Sequence, residues 1–166
     1  MSIIPIEVAM QHVYADEADQ PQVERKLASA IETAEQFIGR RIYSTVEELN
    51  AARVAAAAQL SSVVKITGVP IPTPESEVLQ LIEESNQAAK YELTMQIRGI
   101  VVNPALEIGI LLILGDLYKN RENTSETAAN ELPIGAKFHL QPFRVMGVWL
   151  CHAKVALQGV NGLNNR

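Results

Sequence analysis

The side chains capable of acid–base or nucleophilic chemistry are few and scattered along this 166-residue chain. The three histidines, His12, His139 and His152, are far apart, and no His-x-x-x-His or Cys-x-x-Cys spacing brings metal-ligating residues together. The single cysteine, Cys151, stands next to His152, but adjacent side chains point apart on a helix or a strand. The sequence therefore predicts no metal site and no cysteine–histidine catalytic pair.

Two carboxylates interrupt the apolar stretch of residues 105–118 and are the next candidates for catalysis. Glu107 and Asp116 are nine residues apart, which places them on opposite faces of a helix that turns about 100° per residue. The chain also has no Gly-x-Ser-x-Gly elbow and no Walker loop. We therefore expect a protein that is not an enzyme and that has no catalytic residues and no cofactor.

The residues at and just after the end of this apolar stretch are more informative. They include Tyr118, Asn120, Arg121 and Glu122. They follow an apolar helix, so they are expected to emerge at the surface. Arg121 can form a bidentate pair with a carboxylate. This pair is either an ordinary ion pair within the chain, or it fixes the loop that carries Leu132 and Pro133 and so shapes a subunit contact.

Two helices are needed to position these residues. Residues 20–39 have helical apolar periodicity, with Gly39 suited to the C-cap and Arg40 and Arg41 suited to the negative end of the helix dipole. Asn103 and Pro104 have the residue types of an N-cap and a first helical position. The helix that they open should run to about residue 123. It is apolar around most of its circumference, which predicts a central position.

The segment between these helices predicts a helical hairpin. Thr45 and Glu48 form a capping box before an Ala-rich helix that should fade near Lys65. After a Gly- and Pro-rich loop, Thr73 and Pro74 should begin a further helix. Residues 91–102 also alternate between apolar and polar, as a strand would. We favour a helix to about residue 98, followed by a connection over residues 99–103.

The two ends of the chain give weaker patterns. Residues 3–8 predict a short extended piece, or residues 6–14 a short helix. Leu132, Pro133 and Gly135 indicate a turn, and residues 138–140 a short helix or turn ended by Pro142. Residues 145–157 are apolar and include Trp149. They either complete the core of the monomer or form an arm that docks on a neighbouring molecule, and residues 159–166 resemble a loose tail.

Composition limits the class of protein. A hydrophobic content of 48% suits one globular domain, and a net charge of −5 argues against a protein that binds mainly the nucleic-acid backbone. One cysteine excludes an intrachain disulfide and suits a reducing cytoplasm. The N-terminus has no secretion-signal pattern, and the longest apolar run is shorter than the roughly 20 residues that span a bilayer. We expect no membrane association.

Three motifs in order resemble the head–tail connector (adaptor) family of tailed bacteriophages. They are Ile110-Leu-Leu-Ile-Leu-Gly-Asp-Leu-Tyr-Lys-Asn-Arg-Glu122, Glu131-Leu-Pro-Ile-Gly135 and Leu140-Gln-Pro-Phe-Arg144. The opening of the chain and the helix that ends in Phe37-Ile-Gly-Arg-Arg41 also resemble that family. The resemblance covers residues 1–43 and 99–144. Residues 44–98 are longer and richer in alanine than the commoner connection and resemble a subset with an inserted helical hairpin.

The resemblance implies a structural virion protein of the head–tail neck, assembled in the cytoplasm of the host bacterium. Such proteins form a ring of about a dozen copies below the portal protein. The ring extends the channel through which genomic DNA passes without sequence-specific binding, and it provides a docking surface for the next neck, stopper or tail-terminator protein. The candidate contacts with another subunit or the portal are Tyr118, Asn120, Arg121, Glu122, Leu132, Pro133, Pro142, Phe143, Arg144 and Trp149.

The sequence thus predicts an all-α protein, a small bundle of about four main helices with a long inserted hairpin and an extended C-terminal arm. Residues 1–144 would form one connector domain, with the hairpin at 44–98 and the arm or tail at 145–166. The alternative function is a phage-encoded helical binding module that forms no ring and acts in assembly or regulation. A small helical enzyme is disfavoured because no acid, base, nucleophile or metal set converges.

Overall fold

The computed structural model describes residues 3–66, 76–120 and 132–145. In these ranges the elements are α1 (Ile6–Val13), α2 (Gln20–Ile38), β1 (Ile42–Tyr43), α3 (Val46–Ile66), α4 (Ser76–Ile97), β2 (Ile100–Val101), α5 (Pro104–Lys119) and α6 (Ile134–Leu140). Single turns of 3-10 helix lie at Glu17–Asp19 and Gln141–Phe143. The predicted all-α fold class is confirmed, with one two-stranded sheet of two residues per strand as the exception.

Helix α2 forms one wall of the main core. Val23, Ala30 and Ile38 are fully buried along one face, as the helical periodicity predicts. Gly39 adopts the left-handed conformation with a φ of 68°, and its N–H donates to the carbonyl of Glu35 at 2.8 Å. A left-handed residue there satisfies a carbonyl that the helix end would leave free. The predicted helix and its glycine cap are confirmed.

Helix α5 is central, as its sequence predicts. It packs against α1, α2 and α6. Leu106, Ile110 and Leu114 are fully buried. Because α5 is apolar around most of its circumference, one of its apolar side chains also faces the surface: Ile108 is 45% exposed. The helix ends at Lys119, and the expected extension to residue 123 falls outside the described residues.

A two-residue parallel strand pair replaces the connection expected at residues 99–103. Ile42 lies opposite Ile100 and Tyr43 opposite Val101. The N–H of Ile100 donates to the carbonyl of Arg41, and the N–H of Val102 donates to the carbonyl of Tyr43, both at 2.9 Å. Helix α4 continues to Ile97, so the helical alternative is correct for the first part of residues 91–102. The strand alternative is correct only for β2.

Helices α3 and α4 form the crossover that a parallel strand pair requires. They pack against each other, and the main core includes none of their described side chains. Among their described side chains, the buried ones are Leu49, Ala56, Leu93 and Met95. Helix α3 is described as far as Ile66, where the first described range ends, so its predicted end near residue 65 stays a prediction. Thr73 and Pro74 lie outside the described residues.

The start of α3 differs from the predicted capping box. The N–H of Glu48 donates to the hydroxyl of Thr45 at 3.2 Å, as expected. The carboxylate of Glu48, however, accepts from the N–H and the hydroxyl of Ser44. The reciprocal half of the cap is therefore made with Ser44, one residue earlier than the sequence pattern places it.

The two ends of the described chain are helical. Helix α1 agrees with the helical alternative for residues 6–14. The turn expected around Gly135 is wrong, because Gly135 lies inside α6, which starts at Ile134. A Cβ at position 135 would lie 3.2 Å from Cδ1 of Leu112, so the glycine lets α6 approach α5 closely. The helix predicted near residues 138–140 is present and ends before Pro142.

Candidate interaction surface

A side-chain cap and a proline fix the start of α5, the helix that carries the first of the three sequence motifs. The side-chain carbonyl of Asn103 accepts from the N–H groups of Ala105 at 3.1 Å and Leu106 at 3.0 Å. Pro104 follows in the first helical position, where a missing N–H carries no penalty. This confirms the predicted N-cap of α5.

The C-terminal end of α5 is tied to α2 and to the turn that precedes it. The hydroxyl of Tyr118 donates to a carboxylate oxygen of Asp19 at 2.8 Å. The ammonium group of Lys26 donates to the carbonyl of Leu117, which is one of the last carbonyls of the helix. Tyr118 is half-buried, so its polar contact lies within the chain. Of the two described contact residues at this end of α5, Tyr118 and Asn120, only Asn120 is exposed.

Asn120 occupies the C-cap position of α5. Its side-chain N–H donates to the carboxylate of Asp116, one turn earlier, at 3.0 Å. Asp116 is exposed and Glu107 is half-buried. Arg121 and Glu122 lie outside the described residues, so the proposed contact of Arg121 with the loop before α6 stays a prediction.

Helix α6 packs one face on α5 and exposes the other. Ala136 and Leu140 are fully buried, and a Cβ on Gly109 of α5 would lie 2.8 Å from Cδ2 of Leu140. On the outer face, Ile134 is 86% exposed and Phe138 is 78% exposed. These two large side chains make the outer face of α6 an exposed apolar patch. The sequence analysis did not single out either residue.

The predicted contact residues around α6 divide into packed and exposed groups. Leu132 is half-buried against the main core, and Pro133 occupies the N-cap position of α6. Phe143 is half-buried against the same core, whereas Pro142 is exposed. The guanidinium of Arg144 lies 5.1 Å from the centre of the Phe37 ring, within the range of a cation–π contact. Trp149 lies outside the described residues.

A charged cluster joins α2, β1 and α4. Glu35 is only 5% exposed; one of its carboxylate oxygens accepts from the N–H of Ile42 at 2.8 Å, and the other accepts from the Arg41 guanidinium. Arg41 also donates to the carboxylate of Glu92 at 2.8 Å. Burial lowers the pKa of Arg41, but its hydrogen bonds and attraction to Glu35 and Glu92 outweigh burial and raise that pKa. Arg41 therefore stays charged and holds α4 against the end of α2.

Two further arginines hold the C-terminal end of α4. Arg53 donates to the carbonyls of Ile97 at 3.0 Å and Gly99 at 3.2 Å. Arg40 donates to the carbonyl of Arg98 at 3.3 Å. Cations at this position satisfy free carbonyls and oppose the helix dipole. Arg40 thus acts on the end of α4, and Arg41 contacts both helices, whereas the sequence analysis places both arginines at the end of α2 alone.

The described residues bring no metal-ligating set together. Among residues 3–66, 76–120 and 132–145, no group of three His, Cys, Asp or Glu side chains is placed to hold a metal ion. His12 is on α1 and His139 is on α6. Cys151 and His152 lie outside these ranges. Within the same part of the chain, no helix combines the length and apolar character needed to cross a membrane.

No protein-family model, curated protein or solved structure matches the chain significantly. The resemblance to phage connectors therefore rests on the sequence motifs alone.

Proposed function

We propose that this chain is a head–tail connector subunit of a tailed bacteriophage. Copies of it would form a ring of about a dozen below the portal protein. The ring would extend the DNA channel in the neck of the virion and offer a docking surface to the next neck or tail protein. The role requires no reaction and no cofactor.

The observation that carries the proposal is the exposed apolar face of α6, within the segment that bears the connector motifs. Ile134 belongs to the Leu-Pro-x-Gly motif, and Phe138 lies one helical turn later. Both side chains are more than three-quarters exposed, although the opposite side of the same helix is fully buried. A ring-forming subunit needs a surface that contacts its neighbours. The exposed face of α6 supports this role because it lies beside a motif that resembles the connector family.

Two further properties support the same role. A net charge of −5 suits a channel wall past which DNA moves without adhering, since tight backbone binding requires a concentrated basic surface. The α3–α4 hairpin contributes none of its described side chains to the main core. It is therefore available to project from the ring, as the family resemblance implies for the inserted segment.

Microscopy and mass measurement of the full-length protein test this function. The protein would be examined alone and with portal rings encoded by the same genome, by mass photometry and negative-stain electron microscopy. We expect a ring bound coaxially to the portal, formed in solution or on the portal as template. A protein that neither forms rings nor binds the portal would exclude the connector role and favour the binding module that forms no ring.

A further inference from the structure

The α3–α4 hairpin is connected to the main core through residues 41–43 and 98–102, which we call the joint. The strand pair lies at its centre. The main core includes none of the described side chains of α3 or α4. The buried side chains of the described part of the hairpin lie apart from that core: Leu49, Ala56, Leu93 and Met95. The contacts at the joint therefore decide the direction in which the hairpin leaves the core.

Arg41, at the start of the joint, contacts α4 at two levels. Its backbone N–H donates to the carbonyl of Met95 at 3.1 Å. Its Nε and Nη2 atoms lie 2.8 and 2.7 Å from a carboxylate oxygen of Glu92. Glu92 and Met95 are three residues apart, which is nearly one turn, or about 4.5 Å along the helix axis. Two points of attachment at different levels fix the direction of a helix, whereas a single point lets the helix turn about it.

The other contacts of the joint lie where α4 ends. Arg40 donates to the carbonyl of Arg98 at 3.3 Å. A Cβ at Gly99 would lie 2.5 Å from Cε2 of Tyr43 and 2.8 Å from Cδ1 of Leu49, so the glycine lets the chain after α4 pack closely against β1 and α3. These contacts hold the end of α4 in place. Because they lie at the point about which α4 would turn, they do not fix its direction.

We propose that the Arg41–Glu92 ion pair is a latch that sets the direction of the hairpin, and that the hairpin pivots at the joint when this latch opens. Arg41 keeps its bond to Glu35 when the latch opens, so the carboxylate of Glu35 does not lose its partner in the core. The side chain of Glu92 is 37% exposed, so water can take the place of Arg41. Because salt screens exposed charges, the latch opens as the ionic strength rises.

The latch goes beyond the proposed function, since it acts within one molecule and does not depend on ring formation. Both partners belong to the described chain: Arg41 lies just before β1, and Glu92 lies on α4. The latch makes the hairpin a part of the molecule whose direction responds to charge, while the core and the hairpin each stay folded.

The distance between two spin labels measures the direction of the hairpin. The labels are attached at Glu32→Cys on α2 and Ser85→Cys on α4, two exposed positions, in the full-length protein with Cys151→Ser. Ser85 is ten residues from Met95, or about 15 Å along the helix, so a pivot of about 20° moves its label by about 5 Å. The labelled protein is diluted with unlabelled protein, so that distances between copies do not contribute. Double electron–electron resonance then gives the distance distribution.

We expect a narrow distance distribution for the unaltered latch at low salt. Glu92→Ala should shift or widen this distribution by about 5 Å, and Glu92→Lys, which repels Arg41, should change it further. Alanine favours the helix, so α4 itself should persist. High salt should move the distribution of the unaltered latch towards that of Glu92→Ala and should leave Glu92→Ala unchanged. The matched control is Glu47→Ala, which removes an exposed carboxylate from the first turn of α3 and should have no effect.

Three results would overturn the latch. The first is a distance distribution in Glu92→Ala that equals that of the unaltered protein, or a change of the same size in Glu47→Ala. The second is a salt response that is absent from the unaltered protein or equally large in Glu92→Ala, since the screened charges would then lie elsewhere. The third is the loss of a cooperative thermal transition in Glu92→Ala, measured by circular dichroism, because the ion pair would then be needed for folding rather than for direction.

Discussion

At the scale of single residues, Arg41 connects the main core to the α3–α4 hairpin. It pairs with Glu35 at the end of α2 and with Glu92 on α4, and its own N–H donates to the carbonyl of Met95 at 3.1 Å. The sequence could not reveal this role. Glu92 is 51 residues away, and Arg41 also suits the end of the helix that precedes it. Only the strand pair, which brings residue 42 beside residue 100, makes the partner apparent.

Replacing Arg41 should destabilise the fold. In Arg41→Ala, Glu35 stays buried and keeps only the donor from Ile42. We expect a loss of about 2 kcal/mol in the free energy of unfolding, below the range for fully buried pairs because Glu92 is partly exposed. Urea denaturation followed by circular dichroism measures it. The control is Arg25→Ala, an exposed arginine bonded to the carbonyl of Pro21, which should change stability by less than about 0.5 kcal/mol. Equal effects in the two variants would refute the role of Arg41.

The cap at the start of α3 should be sensitive to acid. The hydrogen bond from the Ser44 hydroxyl, supported by the one from the Ser44 N–H, holds the pKa of Glu48 below its ordinary value of 4.5. Because the folded pKa is lowered, the stabilisation is complete above pH 4.5 and is lost as the pH falls through the lowered value. NMR titration of the Glu48 carboxyl carbon should show this shift. Ser44→Ala should return the pKa towards 4.5, and an unchanged titration would show that the Ser44 contact is not the cause.

At the scale of elements, helices α2 and α5 could be predicted because local signals agree with their packing. The apolar face of α2 and its Gly39 cap are both visible in the sequence, as are the Asn103 cap and the apolar circumference of α5. The full length of α6 was not predictable. Gly135 is common in turns, and its use here depends on Leu112, which only the tertiary structure places beside it. The same limit hides the exposed face of α6, since periodicity does not say which apolar residues stay uncovered.

The contact between α5 and α6 predicts opposite effects for two glycines of one helix. In Gly109→Ala, the new Cβ would lie 2.8 and 2.9 Å from Cδ2 and Cγ of the fully buried Leu140. We expect a net loss of about 1–2 kcal/mol, because overpacking exceeds the gain in helix propensity. In Gly115→Ala, the nearest atom is Nε2 of His12 at 3.7 Å, so a gain of up to about 1 kcal/mol should follow. Thermal unfolding of both variants checks this, and a shift in the same direction would contradict the close approach at Gly109.

At the scale of the whole molecule, the hairpin and the main core are structurally distinct. The described members of the main core come from α1, α2, α5, α6 and the strand region. Leu49, Ala56, Leu93 and Met95 are buried apart from it, at the base of the hairpin. The strand pair and the arginine contacts at the end of α4 connect the two parts. The core should therefore fold without the hairpin, provided that the strands remain joined.

A shortened chain tests this independence. Residues 46–97 would be replaced by a Gly/Ser linker of about 12 residues, which is the length that a parallel crossover requires. The main core stays intact while Arg41 loses Glu92, so we expect cooperative thermal unfolding with a free energy of unfolding lower by about 1–3 kcal/mol. As a control, Leu114→Ala in the shortened chain should cost about 2–5 kcal/mol, as it should in the full chain, because Leu114 is fully buried in the core. A shortened chain without a cooperative transition would show that the hairpin is needed for the core to fold.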